Sequence, residues 1–389
     1  MSNDTRPEIR FPGFTEDWEQ RKLGEVVESV GTGRSTFTNG IVQTSETPYA
    51  VLGSTSVISY DSMFDHSGDF ILTARVGANA GNLYKYFGEV KISDNTVYIQ
   101  ANNLDFIYYL LTKYDLKRLS FGTGQPLVKA SEVKNLKLNF PQKNEEQQKI
   151  GSFFKQLDDT IALHQRKLDL LKETKKGFLQ KMFPKNGAKV PEIRFPGFTE
   201  DWEQRKLGQV ANYRRGSFPQ PYGNKEWYDG ENSMPFVQVV DVGDNLRLVE
   251  DTKQKISELA QPKSVFVEEG KVVVTLQGSI GRVAITQYPA YVDRTLLIFE
   301  SYKAEMDEYY FAYVIQQLFE YEKTRAPGGT IKTITKEALS NFTISFPSIA
   351  EQKKLGKFFE QLDDTIALHQ RKLDLLKETK KGFLQKMFV

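Results

Sequence analysis

Apolar residues follow two different spacings along the chain, and each spacing occurs twice. Across residues 26–140 and 236–346, short β-branched or aromatic runs are separated by Gly, Asn, Asp and Ser, a pattern typical of strands joined by turns. From Asn144, and again from Glu351, apolar residues recur at alternating intervals of four and three, which predicts long amphipathic helices. The pattern therefore predicts two mixed α/β segments, each followed by a long helix.

The individual runs predict specific elements in each segment. In the first segment they predict a helix at 104–119 and strands at 49–52, 57–60, 70–72, 96–99 and 133–140. In the second they predict a helix at 306–322 and strands at 236–242, 271–276, 283–286, 296–299 and 342–346. Residues 28–33, Glu-Ser-Val-Gly-Thr-Gly, only faintly resemble a nucleotide-binding glycine loop, and we interpret them as a tight turn.

Two blocks of sequence are repeated without a single change. Residues 156–183 are identical to residues 361–388, and residues 7–24 are identical to residues 191–208. Such repeats indicate a tandem duplication. Between the blocks the sequences differ, although Gly77 and Gly81 match Gly278 and Gly281, and the run 94–96 (Asp-Asn-Thr) matches 293–295 (Asp-Arg-Thr). We therefore expect one fold carrying two sets of surface residues, with variable domains at 1–143 and 185–349 and long helices at 144–184 and 350–389.

The repeated helices carry an apolar seam at heptad spacing. Its apolar members include Leu157, Ile161, Leu168, Leu171, Leu362, Ile366, Leu373 and Leu376. His164 and Lys175 interrupt the first copy, and we interpret the histidine as a seam residue because no neighbouring ligand set accompanies it. The matched spacing favours pairing of the two helices as an antiparallel coiled coil with the inserts at opposite ends. The alternative is that each helix folds back on its own insert.

Composition narrows the class of protein. Of the 389 residues, 39% are hydrophobic and 26% are charged, as in ordinary soluble globular proteins. Cysteine is absent, so disulfides and thiolate sites are excluded, and a reducing cytoplasm is the expected location. No apolar run reaches the length of a membrane span. The net charge is only +2, so any surface for nucleic acid must be local.

Motifs that would carry catalysis are missing from the sequence. It contains no phosphate-binding loop of the form G-x-x-x-x-G-K-[ST], no H-E-x-x-H and no G-x-S-x-G. The pairs Asp158-Asp159 and Asp363-Asp364 are interpreted as a solvated or partner-facing side of the helices, not as metal ligands. We therefore expect no catalytic or metal site, and the sequence favours a binding protein.

Local basic and polar clusters suggest where nucleic acid would bind. Lysines and arginines concentrate at 113–137 and 323–336, beside loops rich in Gly, Thr and Gln. Cations attract phosphates, and amides or arginines can read base edges. An ordinary charged surface is the alternative. The candidate DNA-binding residues are Arg75, Asn79, Asn82, Gly122, Thr123, Gly124, Gln125, Lys129, Arg214, Arg215, Gln277, Ser279, Arg282, Arg325, Gly328, Gly329, Thr330 and Lys332.

The same motifs frame both variable segments. Each variable segment opens on Trp-x-x-x-x-Leu-Gly, at 18–24 and 202–208. Each closes on Phe-Pro and a helix led by Glu-Gln, at 140–151 and 346–356, followed by Leu-Asp-Asp-x-Ile-x-Leu-x-x-x-Lys-Leu. Over nearly the whole chain, this layout closely resembles the specificity (S) subunit of type I restriction–modification systems. The paired helix motifs in a duplicated layout carry this resemblance.

The resemblance implies a fold and a division of labour. The implied fold is α+β: two target recognition domains, separated by a long antiparallel coiled coil in a pseudo-twofold repeat. Each domain would read one half of a bipartite, non-palindromic site on double-stranded DNA. The helices would set the half-site spacing and dock two methyltransferase (M) subunits, and restriction (R) subunits would join them. S-adenosylmethionine would bind to the M subunits, ATP and Mg to the R subunits, and no cofactor to this chain.

Two other functions compete with this hypothesis. A coiled-coil scaffold whose inserts bind proteins would share the layout but would not bind DNA. A self-contained methyltransferase would transfer a methyl group from S-adenosylmethionine without partners. Neither requires the inserts to determine a DNA sequence.

Overall fold

The computed structural model describes residues 5–120, 126–185, 187–243, 245–325 and 336–389. The chain divides into two compact units: Met1–Gln165 with Lys372–Val389, and Arg166–Arg371. Both boundaries fall within the two long helices, so each unit contains part of each repeated helix. None of the helices within the described ranges has the length and hydropathy needed for a membrane span.

The first unit is built on a six-stranded mixed sheet in the order β2-β7-β5-β6-β3-β4, with a separate pair β1-β8. Its strands are β1 (Glu19–Lys22), β2 (Ser29–Thr32), β3 (Tyr49–Leu52), β4 (Val57–Asp61), β5 (His66–Ala74), β6 (Leu83–Ile92), β7 (Thr96–Gln100) and β8 (Lys137–Phe140). Its helices are α1 (Leu104–Tyr114), α2 (Ala130–Lys134), the part of α3 (Asn144–Lys181) up to Gln165 and the part of α7 (Ile349–Lys386) from Lys372, with short 3-10 turns at Leu23–Glu25 and Leu116–Ser120.

The second unit contains a five-stranded sheet, β10-β18-β15-β16-β12, a four-stranded sheet, β13-β11-β17-β14, and a pair, β19-β9. Its strands are β9 (Glu203–Lys206), β10 (Ala211–Arg215), β11 (Met234–Val237), β12 (Leu246–Arg247), β13 (Gln254–Ile256), β14 (Val265–Val267), β15 (Val272–Thr275), β16 (Val283–Ile285), β17 (Ala290–Val292), β18 (Leu296–Tyr302) and β19 (Thr343–Phe346). Its helices are the part of α3 from Arg166, α4 (Leu207–Val210), α5 (Glu308–Arg325), α6 (Lys336–Asn341) and the part of α7 (Ile349–Lys386) up to Arg371, with 3-10 turns at Lys225–Trp227, Val239–Asp241 and Gln261–Lys263.

Each unit has an aromatic core that includes the end of a repeated helix. In the first unit, Phe388 lies 6.2 Å from Trp18 and 5.6 Å from Phe154, between ring centroids. In the second unit, Phe183 lies 6.2 Å from Trp202. Burying large aromatic side chains contributes strongly to stability. The two identical blocks therefore meet in each unit, because the tryptophan comes from one block and the phenylalanine from the other.

Several elements differ from those that the apolar pattern predicts. The strand predicted at 133–140 begins only at Lys137, because Val133 belongs to α2 and the Leu136 amide donates to the Val133 carbonyl at 3.2 Å. The strand predicted at 236–242 ends at Val237, where the buried Asp241 accepts a hydrogen bond from the Gln238 amide at 2.8 Å and turns the chain.

Two further corrections concern turns and helix ends. The helix predicted at 104–119 ends at Tyr114, because Asp115 adopts a left-handed backbone with φ 62°. Residues 28–33 do not form a tight turn, since four of them make the strand Ser29–Thr32. The strand Leu83–Ile92 went unpredicted because its first seven residues are half-buried or exposed and several are polar.

Candidate nucleic-acid interface

In the first unit, the turn between β5 and β6 gathers several predicted DNA-binding residues. The Arg75 amide donates to the Asn95 carbonyl at 2.9 Å, and the Arg75 carbonyl accepts from the Val128 amide at 2.8 Å. Within the turn, the Asn82 side-chain amide donates to the Asn79 side-chain carbonyl at 3.2 Å. These bonds place Arg75, Asn79, Asn82 and the segment that carries Lys129 at one edge of the sheet.

Lys129 is an exposed cation at this edge. It precedes α2, and its Nζ lies 3.3 Å from Glu132 Oε1, in a pair of which both side chains are largely exposed. A pair exposed in this way contributes little to stability. The lysine is therefore available for a phosphate. Gly122, Thr123, Gly124 and Gln125 lie outside the described residues.

The second unit has a matching turn between β15 and β16. Gln277 and Ser279 are exposed in it. Arg282 is engaged by the protein itself: its amide donates to Thr275 Oγ1 at 3.0 Å and its guanidinium to the Val242 carbonyl at 3.4 Å. The turn thus presents Gln277 and Ser279 to solvent, while Arg282 supports the loop behind them.

The other predicted DNA-binding residues of the second unit do not lie in the β15–β16 turn. Arg214 lies on β10, and its guanidinium is 3.8 Å from the Glu300 carboxylate. Arg215 is exposed next to Gly216, whose amide donates to the Leu296 carbonyl at 3.1 Å. Arg215 is therefore near the turn that precedes β18. The remaining candidates lie outside the residues or side chains that the structure describes: Arg325, Gly328, Gly329, Thr330 and Lys332.

The second unit contains an open depression of about 410 Å³, which the spacing of apolar residues in the sequence did not predict. It lies where the parallel neighbours β11 and β17 both end at their carboxyl ends. Such strand ends commonly carry ligand sites. Its polar lining comprises Tyr222, Gln238, Lys253, Gln254, Asp293, Arg294 and Thr295. A Cβ added at Gly278 would lie 3.5 Å from Val239 of the lining, so the β15–β16 turn is its neighbour.

A buried carboxylate organises the floor of the depression. Asp293 is 2% exposed and accepts hydrogen bonds from the Tyr222 hydroxyl at 2.6 Å and from the Thr295 amide at 2.9 Å. Burial raises the pKa of Tyr222 to about 12, and its bond to Asp293 contributes to the rise. The Arg294 guanidinium carbon lies 5.0 Å from the centroid of the Tyr222 ring, a cation–π contact.

The repeated blocks of the second unit are tied together by buried ion pairs. Arg194 donates to both oxygens of Glu351, at 2.8 and 2.7 Å, and the Glu351 side chain is 1% exposed. Lys175 donates to Asp363 at 2.5 Å, and the Tyr313 hydroxyl donates to the other oxygen at 2.6 Å. The lysine that interrupts the apolar seam therefore has a specific partner.

The first unit repeats both arrangements. Arg10 donates to both oxygens of Glu146, at 2.6 and 2.7 Å. Lys380 donates to Asp158, whose second oxygen accepts from Tyr109 at 2.7 Å. Asp158 and Asp363 thus pair with lysines inside their units. The interpretation as a solvated side is wrong for Asp363, which is buried, whereas the Asp158 side chain is 37% exposed. Asp159 is exposed. The Asp364 carboxylate oxygen Oδ1 lies 2.8 Å from the Arg247 guanidinium nitrogen Nη2.

The seam residues differ in their burial. Leu168 and Leu373 are each 1% exposed. The other six are half-buried: Leu157, Ile161, Leu171, Leu362, Ile366 and Leu376. Off the seam, Leu163 and Leu375 are exposed in the first unit, and Leu170 and Leu368 in the second. His164 and His369 are half-buried.

Comparison with known proteins gives consistent results. A family model described as the type I restriction modification DNA specificity domain matches residues 15–173 and 199–378. Over 95% of this chain and 92% of the relative, the sequence is 22% identical to the MjaX specificity subunit assigned to a type I restriction enzyme of Methanocaldococcus jannaschii. A second relative, the MjaIX specificity subunit of the same organism, is 23% identical over 73% of this chain and 68% of its own.

The fold has solved counterparts as well. The crystal structure of a type I restriction–modification S subunit from M. genitalium superposes with a TM-score of 0.68 at 15% identity, covering 99% of each chain. A structure from a study of complex assembly and conformational transition of the type I system gives a TM-score of 0.55 at 20% identity, covering 98% of this chain and 99% of the other. At these identities the likeness concerns the fold.

Proposed function

Because the chain belongs to the type I restriction modification DNA specificity family, we propose that each of its two inserts reads one half of a bipartite DNA site. The observation that supports this is the pair of matched sheet edges. Each edge carries the same backbone turns but different polar side chains, with Asn79 and Asn82 in one and Gln277 and Ser279 in the other. Side chains that contact base edges provide specificity, so two different edges favour a non-palindromic site.

The long helices are proposed to form an antiparallel coiled coil that sets the distance between the half-sites. In the second unit, Phe178 meets Phe358 and Lys175 meets Asp363, so numbers rise along one helix as they fall along the other. Phe153 with Phe383 and Asp158 with Lys380 follow the same rule in the first unit. On this proposal the recognition domains are residues 1–143 and 185–349, and the helical spacers are 144–184 and 350–389.

The exposed leucines of the helices are proposed to dock methyltransferase subunits. Leu163 and Leu375 of the first unit are 59% and 63% exposed, and Leu170 and Leu368 of the second are 64% and 61% exposed. Identical sequences offer equivalent surfaces to two copies of one partner. Restriction subunits would join this core. The partners would supply S-adenosylmethionine, ATP and Mg chemistry, and this chain would act in the cytoplasm without catalysing a reaction.

An electrophoretic shift experiment tests the proposal. The reconstituted complex of this chain with its methyltransferase subunits is expected to shift duplex DNA that contains the site. Replacement of residues 25–140 with the corresponding insert of a relative should change the preferred duplex. If the replaced complex keeps its preference, the inserts do not read DNA and the protein-binding scaffold is favoured. Methyl transfer from labelled S-adenosylmethionine by this chain alone would instead favour a self-contained methyltransferase.

A further inference from the structure

The two units contain the same four-residue turn at the same sheet edge. In the first unit, the Thr96 amide donates to the Ser93 carbonyl at 3.1 Å; in the second, the Leu296 amide donates to the Asp293 carbonyl at 3.0 Å. Four further backbone hydrogen bonds, each from an amide to a carbonyl, occur in both units. In the first unit they run from Ser93 to Leu52 at 2.9 Å, Arg75 to Asn95 at 2.9 Å, Gly33 to Thr96 at 3.0 Å and Ser35 to Ile92 at 3.1 Å. Their counterparts in the second unit run, in the same order, from Asp293 to Val237 at 3.0 Å, Leu276 to Thr295 at 2.8 Å, Gly216 to Leu296 at 3.1 Å and Ser217 to Val292 at 3.0 Å.

Two glycines hold the turn in the same place. A Cβ added at Gly33 would lie 2.2 Å from the Ile92 carbonyl oxygen, and one added at Gly216 would lie 2.2 Å from the Val292 carbonyl oxygen. Neither approach leaves room for a side chain. The backbone therefore pairs Ser93 with Asp293. Sequence identity had instead aligned residues 94–96 with 293–295, so the structural alignment differs from it by one residue.

With this register, the first corner of the turn is Asp94 in one unit and Arg294 in the other. The two side chains have opposite charges and both are exposed. Among the described residues, neither Asp94 nor Arg294 forms an ion pair. The residues that follow the neighbouring strands β3 and β11 also differ. Because Leu52 and Val237 accept the matched hydrogen bonds, the next residues, Gly53 and Gln238, are equivalent.

Arg294 is oriented by its surroundings and is not neutralised by them. The neighbouring Asp293 carboxylate uses both oxygens on Tyr222 and Thr295. The Tyr222 ring lies against the guanidinium, at 5.0 Å, and Gln238 and Gln254 line the same depression. The guanidinium also has a side-chain hydrogen bond to Tyr222, and its further donors suit a planar acceptor pair such as guanine O6 and N7.

Asp94 has the opposite chemistry. Phosphates would repel an exposed carboxylate without a cation partner. On a DNA-facing edge, a base donor such as the cytosine amino group is the favourable partner. Resting on the proposed function, we infer that this corner is a specificity-determining position: Arg294 reads a guanine in the half-site of the second unit, and Asp94 reads a cytosine amino group in the half-site of the first.

Single variants of the full chain, assembled with the methyltransferase subunits, test the inference by genome-wide sequencing of methylated sites. Arg294→Ala is expected to relax one guanine position in one half-site, with loss of roughly 5- to 150-fold discrimination there and no change in the other half. Asp94→Ala should relax one position in the other half only. Arg205→Ala, on the exposed strand β9, is the matched control and should leave the motif unchanged.

Selection of duplexes from a random library by the same complexes gives a second readout that needs no methylation. Arg294→Gln, which keeps amide donors, guards against a folding defect, and thermal unfolding of each complex is compared with the parent. An unchanged motif in Arg294→Ala overturns the inference, and so does a uniform loss of affinity without relaxation at one position. If an insert replacement changes the motif while Arg294→Ala does not, only the corner assignment fails; if neither changes it, the proposed function fails.

Discussion

Replacement of Lys175 with methionine should destabilise the second unit strongly. Lys175 and Asp363 are 13% and 9% exposed, and their charged atoms lie 2.5 Å apart. Methionine preserves the apolar stem but leaves the Asp363 carboxylate with Tyr313 as its remaining side-chain partner among the described contacts. An uncompensated buried charge costs about 3–5 kcal/mol, which corresponds to a fall in Tm of about 6–20 °C for a unit of this size.

The repeated copy provides an internal comparison of magnitude. The equivalent pair, Lys380 and Asp158, is 22% and 37% exposed. Because solvent screens a pair that is this exposed, Lys380→Met should lower the free energy of unfolding by only about 1 kcal/mol. Lys172→Met, at an exposed position of the same helix as Lys175, is the matched control and should stay within about 0.5 kcal/mol of the parent.

Urea unfolding with a tryptophan in one unit can measure this difference. The chain has three tryptophans. Replacing Trp18 and Trp227 with phenylalanine leaves Trp202, in the core of the second unit, as the probe. Lys175→Met should lower the free energy of unfolding of this unit by about 3–5 kcal/mol. A change no larger than that of Lys172→Met would refute the reasoning that the seam lysine neutralises a buried carboxylate.

Four further predictions follow from other contacts. Arg194→Ala should lower the free energy of unfolding by about 3–5 kcal/mol, because it leaves the buried Glu351 unpaired; chemical unfolding measures this. Burial raises the pKa of Tyr310 in the folded protein. The buried neutral hydroxyl should therefore contribute its full stabilisation below pH 10, near the pKa of the unfolded chain, and that stabilisation should be lost as the pH rises through the pKa of the folded protein. Comparison of alkaline unfolding of Tyr310→Phe with the parent measures this. Lys129→Ala should weaken DNA binding uniformly and reduce the salt slope by about 1, as measured by titration at several salt concentrations. Leu163→Glu alters one of the two equivalent surfaces and should reduce co-purification from two methyltransferase subunits to one without changing Tm, because this leucine is exposed.

Each of these predictions has a control or a contradicting result. Arg6→Ala, in a pair with both side chains more than half exposed, should have little effect beside Arg194→Ala. Unchanged alkaline stability in Tyr310→Phe would remove that hydroxyl from the pH response. An unaltered salt slope would exclude Lys129 from the DNA contact. Normal co-purification of Leu163→Glu would exclude that surface as the docking site.

The helices were the most predictable part of the fold, because heptad spacing over many turns has few alternatives. The first long helix, predicted at 144–184, spans Asn144–Lys181. In contrast, the strand Glu19–Lys22 is exposed at every position. Its place in the fold comes from backbone pairing with Lys137–Phe140, which leaves no apolar pattern in the sequence.

The candidate site was predictable in part. Glycine spacing located the turns that carry Asn79 and Gln277, because tight turns require residues with positive φ. The corner residues Asp94 and Arg294 were missed, since pairing of identical letters gives a register one residue away from that set by the backbone hydrogen bonds. The depression beside Arg294 joins segments far apart in sequence, and no local pattern encodes such a meeting.

Sequencing of methylated bases in a host that carries this chain and its methyltransferase subunits tests the central claim most directly. We expect one bipartite, non-palindromic motif, of which replacement of residues 25–140 changes one half and leaves the other half intact. If methylation occurs at an unchanged motif after that replacement, or if no motif depends on this chain, the inserts do not read the two half-sites.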